Sequence, residues 1–406
     1  MEAPLDSDEE ADADALTLES VRPGPLLDRA ASSLEEQSEG GPTFRSLDDG
    51  SLTVVPLSVE AQAGPALDVA FLTWNINGNP LNAADAKVWA TCAGPADAYF
   101  VAIQELIDIE AKEGLPDRAT REANSAAAAA EAASVLQAVL SEACGEPLMP
   151  LGEPIAMLAI FLVGFARPSV AAEPGFPAQR VPAHYTEEAA AALEAKAAAE
   201  DEEKAKKLRG EAEKTRAKVG QKGGVAVGVK LGGVGLCVLN AHLPAGEKES
   251  STAERDAAAL ALRSALPLAS LGEGAFFVLM GDVNSRTRIG HLQQEEAQQL
   301  VGTLTRKAST RVELQEVHEF DELVGGFASY TGDLCEAEIS WAPTYKFKKS
   351  DFDAKRAPSY CDRVLWRADP NVLPRLYAHC PEVTTSDHKP VAAVLSVAKP
   401  PAAAAS

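Results

Sequence analysis

Eight short apolar runs between Asp68 and Val397 limit most narrowly what this chain can fold into: DVAFLTW, AYFVAIQEL, PIAMLAIFLV, GVAVGVKL, VGLCVLNAHL, AFFVLMGDVN, DRVLW and PVAAVLSV. Each has the length of a strand, and near-continuous apolarity marks strands covered on both faces. The implied class is α/β, and 406 residues that are 46% hydrophobic suffice for one large core. Gly232-Gly233, between two of the runs, reads as a hairpin turn. The fragment GGVGLC could suggest a phosphate-cradling loop, but no helix follows it, so the turn reading is kept.

The organisation around these runs is simple. Residues 1–64 are rich in Asp, Glu, Ser, Gly and Pro and read as a disordered acidic tail; 65–398 form one domain, and 399–406 a second disordered tail. Residues 124–143 are alanine-rich and stop at Gly145, a helix ending in a glycine cap. Residues 186–218 read as a charged helical insertion. Glu202/Lys206 and Glu203/Lys207 are spaced there for ion pairs along a helix, either as a solvated face or as a docking arm.

Charge and cysteine usage exclude several classes. With 37 basic against 60 acidic residues the net charge is −23, which opposes loose binding to nucleic acid or to an anionic bilayer. Any affinity for phosphate must then come from a local basic pocket. The six cysteines form no CxxC pair, which argues against zinc and disulfides and for a reducing, cytoplasmic setting. The longest apolar run, Pro154 to Ala166, is too short to span a bilayer, and the acidic first residues do not resemble a signal peptide.

The chemistry lies where the runs end. Thr73-Trp74-Asn75-Ile76-Asn77-Gly78 and Gln104-Glu105 follow the first two, and Asn240-Ala241-His242-Leu243 and Gly281-Asp282-Val283-Asn284-Ser285-Arg286 close two more. Ser386-Asp387-His388-Lys389-Pro390 leads into the last. Any one of these could be a strand-end cap, and a lone histidine is more often structural than catalytic. Repeated histidine, aspartate and asparagine at strand ends call for a common cause. Metal-assisted phosphoester hydrolysis is one: a hard cation on oxygen ligands, a carboxylate for the attacking water, and donors for the growing negative charge.

TWNING, IQEL, NAHL, GDVNSR and SDHKP, in that order, resemble the motifs of the endonuclease/exonuclease/phosphatase superfamily. KGGVAV (222–227), PTYKF (343–347) and KRAPSYCDRVLW (355–366) resemble the signature of its inositol-polyphosphate 5-phosphatases. The resemblance implies a deoxyribonuclease-like, four-layer sandwich of two mixed β-sheets flanked by helices. It implies a magnesium-dependent phosphatase that removes the 5-phosphate from a phosphoinositide or a soluble inositol phosphate, with peripheral membrane contact open and no nucleic acid as partner. Carried over residue by residue, Glu105 and Asn75 match the magnesium site, with Asp387 and Asn77 as further contacts. Asp282 matches the residue that orients and deprotonates the water, and Asn284 stands beside the reacting phosphate. His388 matches the imidazole on that phosphate, Asp362 the carboxylate that holds it, and His242 a second phosphate-contacting histidine. Lys222, Tyr345, Lys346, Lys355 and Arg356 match the basic pocket that reads a neighbouring ring phosphate.

Departures from the family pattern are Tyr360 in place of tryptophan, Pro244 in place of alanine and Gln221 before the KGG segment. Two rivals remain: a nuclease of the same superfamily, which would need a basic groove, and a catalytically inactive binding scaffold, which would have lost Glu105, Asp282, Asn284 or His388. All four are present.

Overall fold

The computed structural model describes residues 52–58, 64–108, 117–183, 185–198, 202–217, 220–289, 292, 294–305, 318, 320–326, 328–353 and 356–399. The chain begins with β1 (Thr53–Val55), β2 (Ala66–Asn75), helix α1 (Ala83–Ala93), β3 (Ala98–Gln104) and helix α2 (Arg118–Cys144). Short β4 (Met149–Pro150) and β5 (Ile155–Met157) lead into β6 (Ile160–Ala166) and β7 (Ala172–Pro182). Helices α3 (Tyr185–Ala197) and α4 (Glu202–Ala217) precede β8 (Gly223–Leu231) and β9 (Val234–His242), then α5 (Glu249–Ser264), β10 (Phe276–Asp282) and α6 (Gln294–Thr305). The remainder is β11 (Leu334–Ala337), a small β12 (Phe347–Lys348) and β13 (Asp351–Phe352) pair, β14 (Asp362–Arg367), β15 (Val372–His379) and β16 (Val391–Ala398).

These strands build two seven-stranded mixed sheets, in the orders β1-β11-β14-β10-β9-β8-β7 and β15-β16-β2-β3-β6-β4, with β5 also on β6. Their inner faces meet in one apolar layer: Phe71, Phe100 and Leu162 from one sheet pack with Val238, Met280 and Val364 from the other. Trp89 of α1 and Leu136 of α2 cover the outside of one sheet, and Leu262 of α5 covers the other. The result is the four-layer α/β sandwich expected from the resemblance.

Topology explains where the polar residues collect. Parallel neighbours β9 and β10 end together, with Asp282 beside His242, and antiparallel β14 starts there, with Asp362 across from Asp282. In the other sheet β2 and β3 end together, with Asn75 beside Gln104, and β16 begins at the same end. Both sheets therefore open the same edge, as α/β sites generally do. Gly281 makes the close approach possible: it has φ 135°, and a Cβ there would lie 2.0 Å from the Ala241 carbonyl.

Three expectations need correction. The acidic tail does not run unbroken to residue 64: β1 pairs in parallel with β11, and Leu52 and Val55 are buried. The apolar letters of Leu52, Val54, Val55 and Leu57 are simply too few to stand out from their polar surroundings. The helix over 124–143 starts earlier, capped by Asp117, whose carboxylate accepts the Thr120 N–H; its glycine cap, Gly145 with φ 80°, is where the sequence puts it. The insertion is two helices, α3 and α4, with Ala197, Ala205 and Ala212 buried. Alanine-rich composition favours helix everywhere and so does not mark a break. Most of the two tails, 1–51, 59–63 and 400–406, lies outside the described residues. Among the described residues no helix is long and apolar enough to cross a membrane, and all six cysteines are free.

Candidate active site

Asn75 is the joint between the sheets. Its Nδ2 donates to Asp282 Oδ2 at 3.0 Å and to Glu105 Oε1 at 3.2 Å, while its Oδ1 accepts the Asn77 N–H at 3.0 Å. Expected as a metal ligand, Asn75 here holds two carboxylates in place through its amide N–H groups. Backbone strain gathers at the same point: Asn77, Glu105 and Asn284 have φ of 51°, 54° and 53°. Asparagine tolerates this left-handed region, whereas for glutamate it is costly and must be over-determined by its surroundings.

Asp282 is buried among donors. His242 Nε2 lies 3.3 Å and His388 Nε2 4.0 Å from its Oδ2, and its Oδ1 accepts the Asn284 N–H at 2.9 Å. Burial would push its carboxyl up, but the His242 hydrogen bond and the charges of His388 and Lys222 hold it far below the usual carboxylate range. A carboxylate held so low stays ionised. Glu105 is similar: burial alone would raise it, but His242, Lys222 and the Asn75 N–H keep it below its ordinary value. Half-buried Lys222 places Nζ 2.5 Å from His242 Nε2, and burial pulls its ammonium below the usual lysine range against the pull of Asp282 and Glu105.

His388 is paired on its other side. Its Nδ1 lies 2.8 Å from Asp362 Oδ2, and although burial would lower the imidazole, Asp362 and then Asp282 push it up to about 9. At neutral pH it is an imidazolium with Nε2 turned toward Asp282. The loop carrying it is fastened by the Trp74 indole N–H on the His388 carbonyl at 3.1 Å and by Ser386 Oγ on the Asn75 carbonyl at 2.7 Å. The Lys389 N–H donates to the Thr344 carbonyl at 2.9 Å and the Phe347 N–H to the Asp387 carbonyl at 2.8 Å, which lays PTYKF along this loop. Tyr345 thereby packs on His388, ring centroids 4.6 Å apart.

Glu105 supplies the kind of ligand that a hard divalent cation takes. Its carboxylate, on a side chain 39% exposed, lies beside Asn75 Nδ2 and His242 Nε2, and such ions complete their shells with water and phosphate. A second cluster, Asp282, Asp362 and His388, has ligating atoms within 4.8 Å of one another. There the imidazolium already sits between two carboxylates and offsets half of their charge. Glu105→Gln should raise the magnesium concentration needed for half-maximal activity and lower the maximal rate. A magnesium titration superimposable on wild type would move the cation away from Glu105.

The proposed basic pocket is only partly assembled. Lys346 Nζ stands 3.7 Å from Asp387 Oδ2 and 5.9 Å from the Tyr345 ring centroid, near the rim. Asp387, expected near the metal, makes its side-chain contacts with Lys346 and with Ser386 Oγ, the latter at 3.5 Å. Arg356 points to Glu247 at 3.8 Å, and Lys222 belongs to the floor with His242. Lys355 lies outside the described residues. Of the departures, Tyr360 is a core residue, its ring 5.6 Å from Trp341 and 5.0 Å from His318, and Pro244 gives its carbonyl to buried Arg255.

Sequence reasoning placed Gln104, Asn240 and Arg286 in the strand-end motifs but gave them no role. Gln104 and Asn240 tie the sheets together beneath the site: Gln104 Nε2 donates to Asn240 Oδ1 at 2.8 Å, and Asn240 Nδ2 to the Phe161 carbonyl at 2.7 Å. Arg286 is buried behind Asn284 and Tyr345. Its place in GDVNSR was the available signal.

A family model described as "Endonuclease/Exonuclease/phosphatase family 2" matches residues 191–394. The mouse "Type II inositol 1,4,5-trisphosphate 5-phosphatase" is 28% identical over 195 residues, 44% of this chain and 18% of that protein. The pig "Phosphatidylinositol 3,4,5-trisphosphate 5-phosphatase 2" is 27% identical over 197 residues, 43% of this chain and 15% of that protein. The chain thus spans less than a fifth of the length of these curated relatives. Among solved structures, the inositol polyphosphate 5-phosphatase domain of a synaptojanin, in complex with inositol (1,4)-bisphosphate and calcium, superposes with a TM-score of 0.57 at 22% identity, covering 82% of this chain and 84% of that one. A Cimex nitrophorin variant in its ferrous NO complex reaches 0.54 at 16% identity, over 82% and 98%. One fold carries both, so the chemistry has to be argued from side chains.

Proposed function

Because the chain belongs to the endonuclease/exonuclease/phosphatase family, in its inositol-polyphosphate 5-phosphatase branch, we propose that it is a magnesium-dependent hydrolase of the 5-phosphate of an inositol phosphate or phosphoinositide. One observation carries the reading: ionised Asp282 lies within reach of Asn75, His242 and His388 at the common end of both sheets. Asp282 accepts the hydrogen bond of the attacking water and aims it. The His388 imidazolium, held by Asp362, faces the phosphoryl oxygens and balances their charge, with Asn284 and His242 alongside. A magnesium ion at Glu105 would draw charge from a phosphate oxygen. The scattered cysteines support a cytoplasmic setting, with the substrate reached either in solution or at a membrane surface.

Specificity for a neighbouring ring phosphate falls to Lys346, whose side chain is 35% exposed beside Tyr345. An ammonium–phosphate contact is typically worth about 1.5–3 kcal/mol, roughly tenfold to a hundredfold in affinity. Lys346→Ala should therefore lower kcat/KM by about that factor on a 4,5-bisphosphorylated ring, and much less on a ring carrying the 5-phosphate alone. Equal losses on the two substrates, or none on either, would remove Lys346 from ring recognition.

A further inference from the structure

Asn284, beside the proposed phosphate position, carries an amide whose two ends are chemically opposite. A phosphoryl oxygen is an anionic acceptor, so only the amide N–H end is of use to it; a carbonyl oxygen turned the same way would repel it. The structure fixes which end is available. Arg286 Nη2 donates to Asn284 Oδ1 at 2.5 Å, and Asn284 Nδ2 donates to the Leu243 carbonyl at 3.0 Å. The oxygen is thereby turned toward a guanidinium. Of the two Nδ2 hydrogens only one is used by Leu243, which leaves one donor for a substrate.

Arg286 is itself held from several sides. It is buried, and its guanidinium lies 4.7 Å from the centroid of the Tyr345 ring. The same tyrosine ring packs on His388. One buried cation thus touches Asn284 directly and lies behind the Tyr345 ring that packs on His388, while its Nε is buried without a protein partner among the described residues.

We propose that Arg286 is a positioning residue: it sets the Asn284 amide with its N–H toward the phosphoryl group, without touching substrate itself. The proposal rests on the hydrolase reading above for the identity of the reaction, but not for the coupling of Arg286 to Asn284. If Arg286 acts through Asn284, its loss affects the transition state more than substrate binding, and it has little left to remove once Asn284 is gone.

The test is a double-mutant cycle on the full chain with Arg286→Gln, Asn284→Ala and the pair, alongside Arg286→Lys. Circular dichroism establishes folding; the readouts are kcat and KM on an inositol phosphate and affinity for inorganic phosphate in the presence of magnesium. Arg286→Gln is expected to lower kcat by about tenfold to a hundredfold with KM changed by no more than about threefold. The double variant should be within about threefold of Asn284→Ala alone, whereas multiplied losses, or a KM effect without a kcat effect, overturn the proposal. If Arg286→Gln does not fold, Arg286→Lys is read through the same cycle; if neither folds, Arg286 is a structural residue and the proposal is wrong. If wild type releases no phosphate from any inositol phosphate, the hydrolase reading fails. The cycle then decides Arg286 on phosphate affinity alone, where non-multiplying losses support it and multiplying ones do not.

Discussion

Asp282→Asn should lower turnover by at least about a hundredfold in a protein that still folds. The substitution keeps shape and removes charge. An asparagine oxygen can still accept the Asn284 N–H, as Asp282 Oδ1 does at 2.9 Å. What is lost is the second oxygen, which accepts from Asn75 at 3.0 Å and faces His242 and His388. An amide nitrogen in that place would present hydrogens to the Asn75 amide and the His388 imidazolium and could not accept from a water. His388 also loses an anionic neighbour, so its imidazolium is less well held. Steady-state kinetics on the purified variant, with thermal melts to confirm folding, check this. Turnover within a few-fold of wild type would take water orientation away from Asp282.

The largest effect on stability is expected at Arg363, the neighbour of Asp362 on β14. Strand alternation turns the two side chains to opposite sides. Asp362 meets His388, whereas Arg363 enters a buried ion network: Nε donates to Glu336 Oε1 at 2.7 Å, Nη2 to Glu336 Oε2, and Nη1 to Asp321 Oδ1 at 2.8 Å. The Tyr377 hydroxyl adds a bond to Glu336 at 2.6 Å. Removing the cation leaves Glu336 as a buried carboxylate with that hydroxyl as its remaining side-chain partner among the described residues, and breaking a buried pair from one side costs about 3–5 kcal/mol. Arg363→Ala should lose about this much in denaturant unfolding, with activity failing through loss of fold. A loss below about 1 kcal/mol would mean that water or a neighbour replaces the guanidinium without difficulty.

Adjacent residues with such different duties show where reading from sequence stops. KRAPSYCDRVLW identifies the family, but its letters do not say that Asp362 faces the site while Arg363 and Tyr360 serve the interior. The strands with continuous apolar runs were legible because burial on both faces is written into composition. Edge strand β7 was not: among the described residues it pairs with β8 alone, and its prolines Pro174, Pro177 and Pro182 are tolerated because an edge has no second partner to satisfy. In the site, Asp282, His388 and Glu105 were legible because polar residues at the ends of apolar runs are conspicuous. The orientation of Asn75, which turns its amide N–H groups to the carboxylates, depends on β2 and β10 meeting across two sheets. The same holds for Lys222, which reaches His242 because β8 and β9 pair Gly223 with His242. Such long-range register is a property of the assembled fold.

The central claim is that this site removes one particular phosphate. The full chain, incubated with magnesium and inositol 1,4,5-trisphosphate, with a 4,5-bisphosphorylated phosphoinositide, or with double-stranded DNA, would be assayed for released phosphate and for the position lost, by chromatography against positional isomers. The account predicts phosphate release from at least one inositol substrate, magnesium-dependent, with the 1- and 4-phosphates retained and the DNA intact. Loss of a phosphate other than the 5-phosphate, cleavage of DNA in place of the inositol substrates, or no release from a folded, magnesium-loaded protein would contradict it.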